Sequence, residues 1–242
     1  MERRIYHGAS GLVALSMPIR EQLAQRAPGK SMALIPNLAD TDFFKPAGKD
    51  GRRETSMGLS GKFVISYFGA IGLANGLEFF LSCANFAQNS ALPVHFILCG
   101  EGARLPDLKA DATKNDLRNL TILPFTNREG IRQLMNVTDA CFVSYLNVPI
   151  LETGSPHKYF DGLAAGKLML INVGGWMKDE LEEERCGISI RCAEDFTKQI
   201  EPFLSDPEYL KGYQERARLL AEKKYNRENL SARWVNFLIN QS

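Results

Sequence analysis

The stretch ETGSPHKYFDGLAAGKLMLI, residues 152–171, sets a glycine, a proline, a lysine and an acid ahead of a small-residue helix and an apolar strand. Pro156 suits the first turn of a helix, with Gly154 or Ser155 as its cap. His157, Lys158 and Asp161 then fall in the first two turns. Lys158 and Asp161, three apart, project from neighbouring parts of one face. A lysine there opposes the partial positive charge of the helix N-terminus unless an anion sits nearby. Two readings stay open: a site for an anion, or a solvated Lys–Asp pair worth little to stability.

Two further turns could serve the same chemistry, GAIGLANG (69–76) and GEGARLPDL (100–108), each following an apolar run. Glycine lets a backbone approach a ligand closely, and a helix N-terminus offers free N–H groups to a diphosphate. Neither turn is a dinucleotide-binding G-x-G-x-x-G or a P-loop. Turns that merely start helices explain them equally well. His157 alone is weak evidence for a metal, and His7 and His95 have no acid or cysteine at metal-ligand spacing, so a metal site is not expected. Ser155 and His157 are too close to form a nucleophile–base pair, and no G-x-S-x-G elbow is present. The run KDELEEER (178–185) reads as a solvated helix face.

The elements that must position these residues alternate. Apolar runs at 63–70, 93–100, 119–125, 139–146, 168–175 and 187–192 read as strands. Helical patterns separate the earlier runs, at about 77–89, 104–116 and 128–136, and three more close the chain, at about 194–204, 207–223 and 227–240. Continuous apolar strands alternating with helices imply an α/β fold: a doubly wound, parallel, six-stranded Rossmann-like sheet covered on both faces. In such sheets ligands bind beyond the carboxyl ends of the strands, where all three glycine-bearing turns fall. Before this unit come strand-like runs at 11–16 and 31–40, with a helix from Ser16 to about Arg26 between them. Residues 46–61 lack periodicity and read as a linker.

Apolar residues make up 45% of the chain and charged residues 24%, ordinary for a globular protein, and the net charge of +1 points to neither nucleic acid nor a membrane surface. The cysteines, Cys83, Cys99, Cys141, Cys186 and Cys192, are odd in number and show no C-x-x-C, arguing for a reducing compartment. His7, Gly8, Ser10 and Gly11 interrupt the apolar run near the start, so it reads poorly as a signal peptide.

With these pieces in order, the chain resembles the nucleotide-sugar-binding C-terminal half of GT-B fold glycosyltransferases, in particular the retaining family 4 group of capsule and O-antigen type. The resemblance rests on SYFGAIGLANGLEFFLSCA, VHFILCGEGARLPDLK, NLTILPF, LMNVTDACFVSYL, SPHKYFDGLAAGK and YLKGYQERARLLAEKKYNRENL, in family order. It implies a remnant of the N-terminal acceptor domain at 1–45, a linker at 46–61, the donor domain at 62–225, and at 226–242 a helix packing toward the rest of the N-terminal half. An exposed apolar patch on that helix is then expected.

The resemblance further implies transfer of a sugar from a nucleoside diphosphate, UDP by preference, to a surface polysaccharide or lipid-linked glycan with retention. It implies a cytoplasmic site at the inner membrane face, no cofactor and no metal at the diphosphate. Gly69, Gly72 and Lys158 would lie near the phosphates, and Lys158 would stabilise the leaving diphosphate. Asp161 would bind the ribose, Gly100, Phe125 and Thr126 would lie near the base, and Glu152, Thr153, Gly154 and Ser155 near the sugar, with His157 beside them. Two departures stand out. The family's spaced glutamate pair reads Thr153 and Asp161, with Glu152 one residue off register, and its basic phosphate loop reads Gly69-Ala70 and Asn75-Gly76. Lys158 is then the main cation. The acceptor half would be absent or supplied in trans, which leaves a donor-binding subunit inactive alone as an alternative. A sugar-nucleotide epimerase is a further rival, but no His–acid set supports it.

Overall fold

The computed structural model describes residues 2–240. A short helix α1 (Glu2–Gly8), strand β1 (Gly11–Ala14), helix α2 (Met17–Arg26) and strand β2 (Ser31–Leu34) come first. β1 and β2 pair in parallel as a small sheet of their own. Ser16 caps α2 as its spacing predicts, its hydroxyl accepting from the Ile19 N–H, while Pro18 fits the first turn. The same hydroxyl donates to the Thr153 carbonyl (2.6 Å), and Asn37 donates to the Ser155 carbonyl (2.6 Å). These bonds pin the N-terminal segment against the loop that leads into the Lys158 helix.

The stretch read as a linker is not featureless. It holds helix α3 (Gly51–Ser56), capped by Asp50. Lys49 reaches the buried Asp139 carboxylate (2.6 Å), which also accepts from the Val64 N–H (2.8 Å). The mixed charges that hid any periodicity there are partly tertiary partners.

The main sheet contains β3 (Phe63–Phe68), β4 (Val94–Cys99), β5 (Leu120–Leu123), β6 (Ala140–Val143), β7 (Leu168–Ile171) and β8 (Gly187–Ser189). All pairs are parallel, in the order β5-β4-β3-β6-β7-β8. This is the six-stranded doubly wound sheet the sequence predicts. Helices α4 (Glu78–Asn89), α5 (Leu105–Lys114), α6 (Arg128–Met135), α7 (His157–Ala164), α8 (Trp176–Glu183), α9 (Phe196–Ser205), α10 (Pro207–Lys224) and α11 (Arg227–Ile239) complete the chain. β3, β6 and β7 are buried at every position, because both faces of the sheet are covered. One apolar core joins the sheet to α7, α8 and α10, and the other joins it to α4 and α9. Cys83, Cys99, Cys141 and Cys186 are free and buried in these cores, and Cys192 is free and exposed.

The expected solvated face at 178–185 needs correction at two residues, since Leu181 packs into the core and Glu180 is buried as well. Glu180 accepts hydrogen bonds from the Tyr159 and Tyr225 hydroxyls and from Lys224. The expected apolar patch on the last helix is present: Trp234, Val235, Leu238 and Ile239 of α11 are exposed. Gln241 and Ser242 lie outside the described residues. No described helix is long and apolar enough to cross a membrane.

Candidate functional site

The strand order reverses direction between β3 and β6, and there the crevice beyond the carboxyl ends is the expected ligand position. A cavity of about 310 Å³ opens at that place. Its wall takes Phe68 and Gly69 from the end of β3, Cys99 and Gly100 from the end of β4, and Phe125 to Arg128 from beyond β5. His157, Lys158 and Asp161 come from α7, and Phe44 from the segment after β2.

The turns that close β3 and β4 are glycine for a steric reason. A Cβ on Gly100 would lie 1.9 Å from the Gly69 carbonyl oxygen, so the two turns touch through bare backbone. Gly69 has φ +137°, and a Cβ there would press on the end of the Lys158 side chain at 3.2 Å. Both turns are therefore shaped by packing, and one of them clears room for a lysine.

Lys158 is the centre of the site. Its Nζ donates to the Tyr67 hydroxyl (2.5 Å), which donates in turn to the Ala70 carbonyl (2.7 Å). The ammonium lies 4.0 Å from the Tyr67 ring centroid. Among the described residues it makes no ion pair, with Asp161 or any other acid, so the solvated Lys–Asp pair is not what the structure holds. Burial without a countercharge pushes its pKa down to about 7. Asp161 is mostly buried as well, and burial pushes it up to about 6, against the opposing pull of Arg128.

Helix α7 starts one residue later than its sequence suggests. Pro156 itself is the N-cap, and no side chain caps the helix. The His157 and Lys158 amides donate to no protein acceptor among the described residues, so the helix presents open donors beside the Lys158 side chain. The chemistry available is neutralisation of an anion by one ammonium, a helix N-terminus and glycine-lined backbone.

The structure brings together Gly69, Gly100, Phe125, Thr126, His157, Lys158 and Asp161 on the cavity wall. It places the other predicted residues elsewhere. Gly72 lies in a local turn whose N–H donates to the Asn75 side chain (3.1 Å). Glu152 accepts from the Gly174 N–H (3.3 Å) and faces Arg191 (3.7 Å). Thr153, Gly154 and Ser155 give their carbonyls to Ser16, Trp176 and Asn37. Glu152 is thus engaged on the β7–α8 turn and is not on the cavity wall.

Arg128, Asn127, Phe44 and Tyr67 are the residues that sequence reasoning passed over. Asn127 caps α6, accepting from the Gly130 N–H (3.0 Å), and an Asn before a helical pattern could have signalled that turn. Nothing local marks Tyr67 or Phe44, which reach the site from 91 and 114 residues before Lys158 in the chain. Among the described residues no cluster of histidine, cysteine and acids could hold a metal ion.

The fold matches the C-terminal, Rossmann-like half of GT-B glycosyltransferases. No protein-family model matches the chain. Its structure is similar to Anabaena Alr3699/HepE solved with UDP and glucose, with a TM-score of 0.78 and 16% identity over 98% of this chain and 66% of that one. It is also similar to the C-terminal domain of the group 1 glycosyl transferase LpcC from Francisella tularensis, with a TM-score of 0.65 and 16% identity, covering 78% of this chain and 98% of that one. In sequence it is 24% identical over 237 residues to the alpha-D-kanosaminyltransferase of Streptomyces kanamyceticus, covering 93% of this chain. The chain spans 59% of the length of that curated relative.

Proposed function

We propose that this chain forms the donor side of a glycosyltransferase that takes a sugar from UDP. The observation that carries this reading is Lys158: a half-buried ammonium without a countercharge, at the open end of α7, in the switch-point cavity. The energetic cost of holding a bare cation there is recovered when a diphosphate arrives. UDP is preferred because the similar HepE structure was solved with UDP and glucose.

In the proposed reaction the bond between the sugar anomeric carbon and the diphosphate oxygen breaks, and a bond from that carbon to an acceptor hydroxyl forms. The electron pair leaves with the diphosphate, whose growing charge Lys158 and the α7 amides stabilise in place of a metal ion. The acceptor hydroxyl loses its proton to the departing phosphate or to water. Transfer with retention, in the manner of family 4, and a surface polysaccharide or lipid-linked glycan as acceptor complete the reading. The acceptor is proposed to bind a second domain, in this polypeptide or another, facing the exposed apolar side of α11.

Isothermal titration of the chain with UDP, UDP-glucose and GDP tests the donor reading. UDP is expected to bind, and Lys158→Met to abolish most of that affinity. Absence of UDP binding, or equal binding by the variant and the parent, overturns it.

A further inference from the structure

The cavity has a second cation, on α6 rather than α7. Arg128 is the first residue of that helix, where a positive charge opposes the dipole, so its place depends on tertiary contacts. Its Nη2 donates to Asp40 (2.8 Å), and its guanidinium lies 4.4 Å from the Phe43 ring centroid. Asp40 is buried, and it is fixed in turn by the Phe43 N–H (3.2 Å) and by Arg227 at the start of α11 (3.3 Å). Two guanidinium groups thus share one carboxylate. The Arg128 Nε and Nη1 groups meet no protein acceptor among the described residues. The result is a planar fork, braced from one side and exposed, on the wall of the cavity.

Asp161 lies on the same cavity wall. An ionised carboxylate only accepts hydrogen bonds and a guanidinium only donates them. On one wall the two match a ligand whose oxygens do both, as ribose hydroxyls do. A bare phosphate, which mainly accepts, uses only half of that pair. Phe125, largely exposed on the same wall, adds an aromatic face.

We infer that Arg128 determines specificity for the nucleoside of the donor, donating from Nε and Nη1 to nucleoside oxygens while Asp40 holds the guanidinium in place. Recognition then divides along the cavity: Lys158 holds the diphosphate and Arg128 the nucleoside. This rests on the donor reading above.

Two probes separate the ends, UDP and inorganic pyrophosphate, each titrated calorimetrically into the parent chain, Arg128→Ala, Arg128→Lys and Lys158→Met. Arg128→Ala is expected to weaken UDP about 10- to 100-fold, the loss of charge-assisted hydrogen bonds, and to leave pyrophosphate within about twofold. Arg128→Lys keeps the charge without the fork and is expected to recover little of the UDP affinity. Lys158→Met weakens both probes. The inference is overturned if Arg128→Ala leaves UDP unchanged, weakens both probes equally, or is rescued by lysine, since the last two mark a general charge effect. If the parent binds UDP and pyrophosphate and only the Arg128 variants behave as the parent, the donor reading survives without this refinement. If the parent binds neither probe, both fail together. Circular dichroism of each variant confirms that a lost affinity is not lost folding.

Discussion

Replacing Lys158 by methionine should make the chain more stable at low pH, and the gain should shrink as pH rises. The lysine pKa falls from an ordinary 10.5 to about 7 in the folded chain because burial removes water and no acid replaces it. Between those values the unfolded chain holds a proton that the folded chain has released. Stability therefore rises with pH across that window. The full penalty is present below about 7 and is relieved toward 10.5. A shift of that size corresponds to a ceiling of roughly 5 kcal/mol, and the change between pH 6 and pH 9 to about 2.7 kcal/mol.

Water penetration and relaxation reduce both figures, so an observed change of about 1–3 kcal/mol is the expectation. Methionine fills similar space without the charge, and the Tyr67 hydroxyl keeps its bond to the Ala70 carbonyl. Urea denaturation of parent and variant at pH 6, 7, 8 and 9 gives the difference directly, because other titrating groups cancel. The curves should converge from a more stable variant at pH 6. Parallel curves, or a variant less stable at pH 6, would refute the claim that the ammonium is buried without a countercharge.

Further outcomes follow from the same contacts. If Asp161 must be ionised to accept and Lys158 protonated to hold a diphosphate, UDP affinity peaks at roughly pH 6.5, between their values of about 6 and about 7, in titrations from pH 5 to 9. At pH 8 UDP binding should take up close to one proton, read from calorimetry in buffers of different ionisation enthalpy, and Lys158→Met should take up none. Gly100→Ala drives a Cβ into the Gly69 carbonyl, so thermal denaturation should show a loss of about 2–4 kcal/mol. Glu180→Ala strands the buried Tyr159 and Tyr225 hydroxyls, and denaturant unfolding should show a loss of about 2–4 kcal/mol.

Much of the fold was legible because it follows from local rules. Apolar runs of strand length, each ending in a polar or glycine-bearing turn, specify βαβ units, and the strands at 63–68, 94–99 and 168–171 fall inside the runs that predicted them. Gly69 and Gly100 were visible as turn residues at strand ends. Lys158 was visible as a cation where a helix dipole disfavours one.

The partners of these residues were not visible. Lys158 and Asp161 share a helix at a spacing that suggests an ion pair, yet they part toward different neighbours. Lys158 turns under the β3 turn onto Tyr67, and Asp161 lies where the charge of Arg128 reaches it. Glu180 sits in an acidic run that looks solvated, but α8 lays it against Tyr159 of α7 and Tyr225 at the end of α10. Arg128 and Asp40 are 88 residues apart and meet because the segment after β2 crosses α6. The sequence by itself determined which segments form strands and helices, since backbone preference and apolar periodicity act over a few residues. Only the tertiary structure decided which charges are buried, paired or left bare, because burial and Coulomb energy depend on what the rest of the chain brings alongside.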